Sequence, residues 1–266
     1  MCAETLKAGY QDSDRLDRSK RLGWFDSDAI SSARVLVVGA GAIGNETAKN
    51  LVLAGFRKIT LVDMDHIVRS NLNRCLFFSE LDASGKRLKV DVVAEGMKRL
   101  DPEISVGTHS KPVQEMPDDF IPSHDIVLGC LDNLAARLHI NSRAYAAGIP
   151  YVDAGTDGFV GKVMVVLPPD GACVECGANR SHAKIVQQRF SCTGSDVTFF
   201  APKLAAEITT TSVVSAVQVR EAMKLVCGKN EMTIKNVAYY DGSRNVFDEL
   251  EVQTNPDCPN HLVKRR

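Results

Sequence analysis

The sequence predicts an α/β fold, a doubly wound and mostly parallel sheet closed by antiparallel strands towards its C-terminal end. Three observations predict it. An apolar, β-branched run, Val35-Leu-Val-Val38, passes straight into Gly39-Ala-Gly41-Ala-Ile-Gly44 and then into a helical pattern from Ile43 to about Ala54. Short apolar runs alternate with helix-length segments as far as Leu167, the rhythm of successive βα units. Two further strand-like runs, Ile234 to Tyr239 and Val246 to Val252, face each other across Asp241-Gly242 and read as a closing hairpin.

Taken in order, residues 1 to about 30 form a polar lead-in, with a helix expected from Asp12 to Leu22 that carries Arg15 and Arg18 on one face. Residues 31–266 read as one domain. The order strand, GxGxxG, helix is that of a Rossmann-like nucleotide-binding unit. Gly39 serves the tight turn, Gly41 lets a phosphate approach the backbone, and Gly44 lets the helix pack close to the sheet, with the phosphate on the helix N-terminus. The next strand, Ile59 to Val62, ends at Asp63, about twenty residues beyond the glycines, where a carboxylate meets ribose hydroxyls. Asp65 to Gly85 is too long for a simple βα turn and reads as a functional or covering segment. Helical periodicity returns from about Arg87 to Leu100 and stops at Asp101-Pro102. Ile104 to Thr108 and Asp125 to Leu128 read as strands, and Leu134 to Ala147 as a helix closed by Gly148-Ile-Pro150. Tyr151-Val152 and Lys162 to Leu167 extend the sheet. Beyond Pro168-Pro169 a polar stretch runs to about Pro202, followed by a long helix from Lys203 to Leu225.

Composition excludes more than it assigns. A formal net charge of −1 over 266 residues gives no bulk argument for nucleic acid or an anionic membrane. No apolar run approaches the roughly 20 residues of a membrane helix. Met1 to Lys20 is too charged for a signal peptide, so a cytoplasmic protein is expected. In that setting the eight cysteines read as metal ligands, a nucleophile and buried thiols rather than disulfides. Cys173-Val-Glu-Cys176 and Cys258-Pro-Asn-His261 are two pairs of the same spacing, suited to a tetrahedral ion. Soft thiolates with an imidazole select zinc, here in a structural role that staples the C-terminal part. The rival reading leaves Cys258 and His261 in a tail that binds nothing.

A more specific pattern runs through Leu61-Val-Asp63-Met-Asp65, Ser70-Asn71-Leu-Asn-Arg74, Lys89, and Leu131-Asp132-Asn133 with Arg137. Here the chain resembles the ThiF/MoeB/HesA and ubiquitin-activating enzyme family, from about Arg15 to the C-terminus. The resemblance implies an enzyme that binds ATP and Mg²⁺ and adenylates the C-terminal glycine of a ubiquitin-like protein ending in Gly-Gly. Attack of a carboxylate on the α-phosphate gathers negative charge, so cations must surround it. Arg74 and Lys89 match the family's cations, Asn71 its asparagine, Asp132 its magnesium ligand and Asp63 its ribose carboxylate, with Asp65 and Asn133 beside them. Arg18, in Arg15-Leu-Asp-Arg18, matches an arginine that reaches into the partner subunit's ATP site, which implies a homodimer. Cys192, in Phe190-Ser-Cys-Thr193, matches the cysteine that carries the acyl group as a thioester, within a segment of about residues 177–202. Nearby Arg189 favours its thiolate.

The chain departs from the pattern in places. Cys75 stands where the family often has glutamine, Ser19 where the N-terminal element has another, and His261 where a fourth cysteine is usual. Lys86 rivals Lys89, with spacing favouring Lys89. Cys130 and Cys227 read as buried structural thiols, while Cys2 and Cys75 have no assignment. The expected function is activation of a ubiquitin-like protein, with thioester transfer to Cys192 and a downstream conjugating enzyme as a further partner. The alternative is an adenylyltransferase for a sulfur-carrier protein of molybdopterin, thiamine or thiolation type, with no obligatory enzyme thioester. An NAD-dependent oxidoreductase would use the same fingerprint, but no hydride-transfer site is visible. A zinc-stapled binding domain on an inactive nucleotide fold is the non-enzymatic reading. With no room for a C-terminal ubiquitin-fold or rhodanese domain, a minimal form of the family is expected.

Overall fold

Alternate residues of β1 (Arg34–Val38) point to opposite faces of a sheet and into two different cores. Val35 and Val37 join one core, Leu36 and Val38 the other. A strand buried on both faces is apolar throughout, which is why this run lacks a polar alternation. The computed structural model describes residues 14–177 and 205–262. Its eight-stranded sheet has the order β3-β2-β1-β4-β5-β6-β7-β8, from β2 (Lys58–Val62), β3 (Ser105–His109), β4 (Ile126–Gly129), β5 (Tyr151–Asp157), β6 (Val160–Val166), β7 (Val237–Asp241) and β8 (Val246–Leu250). The first five strands pair in parallel, and β5 through β8 pair antiparallel.

Helices cover both faces. α3 (Ala42–Ala54), α5 (Lys89–Leu100) and α8 (Ile208–Val226) supply residues to the core that holds Val35 and Val37. α6 (Leu134–Ala147) and the short α7 (Val174–Gly177) pack on the other. From β1 the chain winds outward through β2 to β3, then returns to β1's other side with β4 and β5. That reversal opens a crevice beyond the carboxyl ends of β1 and β4, where this class of sheet places its ligands.

The α/β architecture with antiparallel closing strands is the one expected, and α6 has the predicted limits. The N-terminal part differs. In place of one helix from Asp12 to Leu22, the described residues show α1 (Asp17–Lys20) and a separate α2 (Ser27–Ser32). Asp26 caps α2 by accepting from the Asp28 and Ala29 backbone N–H groups, a local signal that the charge-rich reading of this stretch passed over. α8 begins at Ile208 because the Glu207 side chain caps it, accepting from Thr209 and Thr210. The long segment after β2 holds a 3₁₀ turn, Arg69–Asn71, and the short α4 (Glu80–Ser84). Among the described residues no helix is long and apolar enough to cross a membrane.

Candidate active site and metal centre

A cavity of about 760 Å³ lies in the crevice beyond β1, β2 and β4, a size suited to a nucleotide. Gly39 takes a left-handed φ of 101°, and a Cβ there would stand 2.4 Å from the Cys130 carbonyl oxygen. A Cβ on Gly44 would stand 2.0 Å from the Gly39 carbonyl oxygen, so the start of α3 closes directly onto the turn. Gly41 and Ala42 line the cavity, and a Cβ on Gly41 would meet nothing within 4 Å. The N-terminus of α3 therefore opens on the cavity, with space beside its backbone for an anion.

Asp63, at the end of β2, is held by two backbone donors. Its Oδ2 accepts from Ala40 N at 2.7 Å and its Oδ1 from Asp65 N at 2.8 Å. Burial lifts its pKa above the ordinary carboxylate value, against the opposing pull of Lys89 and those N–H groups. Lys89 opens α5, and its Nζ donates to Asp65 Oδ2 at 2.7 Å. Burial works against the ammonium, but Asp63 and Asp65 outweigh it and the Lys89 pKa is raised. Asp65 is thus the counter-ion that holds Lys89 at the cavity. Asn71 closes its own turn by accepting from Val68 N at 3.1 Å. The Arg74 guanidinium donates to Ser70 O and to Asn73 Oδ1. Asp132 is exposed at the end of β4, and among the described residues its carboxylate has no hydrogen bond or ion pair. Asn133 lines the cavity too, yet its Oδ1 accepts from Ala136 N at 2.8 Å and caps α6.

The cavity thus brings together Gly39, Gly41, Asp63, Asp65, Asn71, Arg74, Lys89, Asp132 and Asn133, while Gly44 packs just behind it. Lys86 does not line it. Lys111, Gln114, His66 and Thr156 do, and the sequence reading missed them. Lys111 and Gln114 follow the edge strand β3, where only a lone charge or amide in a loop marks them. Arg137 was noted within the motif. Its guanidinium donates to Leu131 O, Asp153 Oδ2 and Ala154 O, bracing the strand ends beneath Asp132.

Arg18 does not line this cavity, and its placement is informative. Leu16 packs against Gly55, which ends α3, and Arg15 pairs with Asp101, which ends α5, at 2.9 Å. Both helices start at the cavity and run away from it. Over the 13 residues of α3 the separation is roughly 20 Å. Cys192 and Arg189 lie outside the described residues, as do Cys2 and nearly all of the segment 177–202.

The second cluster is made of Cys173, Cys176, Cys258 and His261, whose ligand atoms all lie within 4.8 Å of one another. Cys173 Sγ is 3.8 Å from Cys176 Sγ and 3.6 Å from Cys258 Sγ, and Cys176 Sγ is 3.2 Å from His261 Nε2. Thiolates around a tetrahedral zinc with bonds near 2.3 Å stand about 3.8 Å apart, so the cluster fits that ion. The tautomer of His261 fits as well. Tyr145 donates its hydroxyl proton to Pro169 O at 2.6 Å, because a carbonyl only accepts. His261 Nδ1, 2.9 Å from the same hydroxyl, must then be the N–H that donates to it. The Nε2 lone pair is left on the side of the thiols, the arrangement a metal ligand requires.

Two of the remaining described thiols are buried. Burial pushes the Cys130 thiol up to about 12 and the Cys75 thiol to about 11, so neither is a thiolate at neutral pH. Cys227, expected to be buried, is only half-buried, because it stands at the C-terminal end of α8.

The model of the ThiF family matches residues 17–260. The chain belongs to the ThiF family. It is 30% identical over 257 residues to the molybdopterin-synthase adenylyltransferase of Escherichia coli (strain K12), covering 93% of this chain and 96% of that protein. It is 35% identical over 157 residues to SUMO-activating enzyme subunit 2 of Dictyostelium discoideum, covering 58% of this chain but only 23% of that longer protein. Among solved structures, E. coli MccB with SeMet MccA is similar with a TM-score of 0.75, at 21% identity, covering 96% of this chain and 76% of that one. At that identity the likeness speaks for the fold.

Proposed function

We propose that this protein uses ATP to adenylate the C-terminal glycine of a ubiquitin-like protein and then takes the acyl group onto Cys192 as a thioester. The observation that carries the reading is the convergence of Arg74, Lys89 and Asp132 with the glycine turn around one cavity. A carboxylate oxygen of the glycine attacks the α-phosphorus, the bond to pyrophosphate breaks, and an acyl-adenylate forms. Arg74 and Lys89 offset the charge that gathers there, and the N-terminus of α3 receives phosphate. Asp63 takes the ribose hydroxyls, and Asn71 frames the turn that presents Arg74. Asp132, with Asn133 beside it, would hold Mg²⁺, a hard cation that neutralises phosphate charge when bound and needs few protein ligands. In the second step the Cys192 sulfur attacks the acyl carbonyl, AMP departs with the bonding pair, and the thiol proton passes to solvent. Zinc fits the Cys173, Cys176, Cys258 and His261 cluster in a structural role, since the adenylation chemistry does not call for it.

Arg18 serves a second copy in this reading. Its neighbours Leu16 and Arg15 pack at the far ends of α3 and α5, so in this reading Arg18 acts from a partner whose cavity it enters, and the enzyme is a homodimer. A downstream conjugating enzyme would receive the thioester.

One observation favours a second reading. The molybdopterin-synthase adenylyltransferase aligns over nearly the full length of both chains, whereas the SUMO-activating match spans under a quarter of that subunit. An adenylyltransferase for a sulfur carrier would leave the adenylate to an outside sulfur donor. Intact-mass analysis with Mg-ATP and carriers ending in Gly-Gly separates the two. A covalent adduct lost with thiol reductant and in Cys192→Ala supports the thioester. AMP-carrier and pyrophosphate without an adduct support the sulfur-carrier reading, and neither product with any carrier defeats both.

A further inference from the structure

Asn45, the residue after Gly44, belongs to none of the motifs, yet its side chain is completely buried. Its Nδ2 donates to Ala40 O at 2.9 Å and to Gly41 O at 3.0 Å, and its Oδ1 accepts from Phe77 N at 3.0 Å. Two carbonyls on one side and an N–H on the other fix which end of the amide is nitrogen. Ala40 and Gly41 belong to the phosphate-facing turn, and Phe77 lies three residues beyond Arg74. The Phe77 ring lies against Gly96 of α5, so closely that a Cβ there would stand 2.3 Å from Phe77 Cδ1. α5 is the helix that begins with Lys89. One side chain therefore joins the glycine turn, the Arg74 segment and, through Phe77, the Lys89 helix.

We propose that Asn45 is a positioning residue for adenylation, setting the spacing between the glycine turn and the two cations that face it. The proposal rests on the adenylation reading above. Asn45 does not line the cavity and touches no reacting atom. Its effect comes through the walls it ties together, and misplacement of a catalytic group by about 1 Å costs as much as a hundredfold in rate. Meeting all three partners takes a side chain that both donates and accepts. Aspartate cannot donate, and alanine leaves a buried N–H and a carbonyl unpaired. Serine is the informative substitution. In the first turn of a helix its hydroxyl bonds the carbonyl four residues back, here Gly41, but it is too short to reach Phe77. Asn45→Ser keeps the start of α3 and removes the bridge. Gly96→Ala attacks the same link from its other end by displacing the Phe77 ring.

The test uses the full-length protein with a carrier that wild type adenylates. ATP-pyrophosphate exchange, ATP affinity by titration calorimetry and amide hydrogen exchange at Phe77 are compared for wild type, Asn45→Ser, Gly96→Ala and the double variant. Each variant is expected to lower kcat about tenfold or more while ATP affinity changes less than about threefold, and their effects combine non-additively. The Phe77 amide of Asn45→Ser loses protection while β1 and β4 keep theirs. A kcat per folded molecule that stays at the wild-type value in both variants overturns the positioning role and leaves Asn45 a packing residue. Absence of exchange in wild type with every carrier overturns the adenylation reading itself.

Discussion

Around the cavity, charged groups are held by partners that a ligand can share. Lys89 is paired with Asp65, a carboxylate that is 55% exposed, and Asp132 stands exposed without a partner among the described residues. At the cysteine–histidine cluster, by contrast, the ligand atoms lie within 4.8 Å of one another, two of the cysteines are buried, and His261 Nδ1 is held by the Tyr145 hydroxyl. In the proposed reading the first region takes a substrate that comes and goes, and the second a structural ion. Open charge separates function from stability, and a closed cluster merges them.

The comparison predicts different losses. Asp132→Ala should lower pyrophosphate exchange by about 10²–10³ while the melting temperature stays within about 2 °C of wild type, since its carboxylate supports nothing else. A large fall in melting temperature would erase the contrast between the regions. Removing zinc with a strong chelator should lower the melting temperature by on the order of 10 °C, with one zinc per chain found beforehand by elemental analysis. An unchanged melting curve in a protein shown to have lost its metal would make the cluster a bystander. Tyr145→Phe sharpens the point. It removes the acceptor that fixes Nδ1–H, so zinc affinity in competition with a metal indicator should fall about tenfold, with activity unchanged at saturating zinc.

The smallest effect concerns the cap of α8. Hydrogen bonds from Thr209 and Thr210 overcome the burial penalty and hold the Glu207 carboxyl down to about 2. Its folded pKa lies below the unfolded one, so the cap's contribution is complete above the ordinary glutamate value and is lost as pH falls towards 2. Glu207→Gln should cost about 1 kcal/mol near neutrality. Melting temperatures measured between pH 7 and pH 3 should converge for wild type and variant as the pH falls, and parallel curves would refute the assignment.

Several features were legible because they are local. A β-branched run entering glycines forces the turn. The two pairs Cys173/Cys176 and Cys258/His261 carry their ligand spacing within a single turn each. Asp63 follows from the spacing of one βαβ unit. Elsewhere local signals misled. Charges from Asp12 to Leu22 resembled one helix, while the capping side chain of Asp26 marked another. Lys111 and Gln114 carry no pattern, because only the position of edge strand β3 beside β2 carries its following loop to the cavity.

The sequence by itself determined the βα alternation, the glycine turn, the acid that follows it and the residue types of the cysteine–histidine cluster. Each follows from backbone preferences and side-chain chemistry over a few neighbouring residues. Tertiary structure alone decided that Asp65 holds Lys89, that Leu16 packs on Gly55 at the far end of α3, that Tyr145 sets the tautomer of His261, and that Asn45 spans 32 residues to Phe77. These are contacts between segments far apart in the chain. Strand register and helix length set such distances, and both are fixed only when the two cores pack against the sheet.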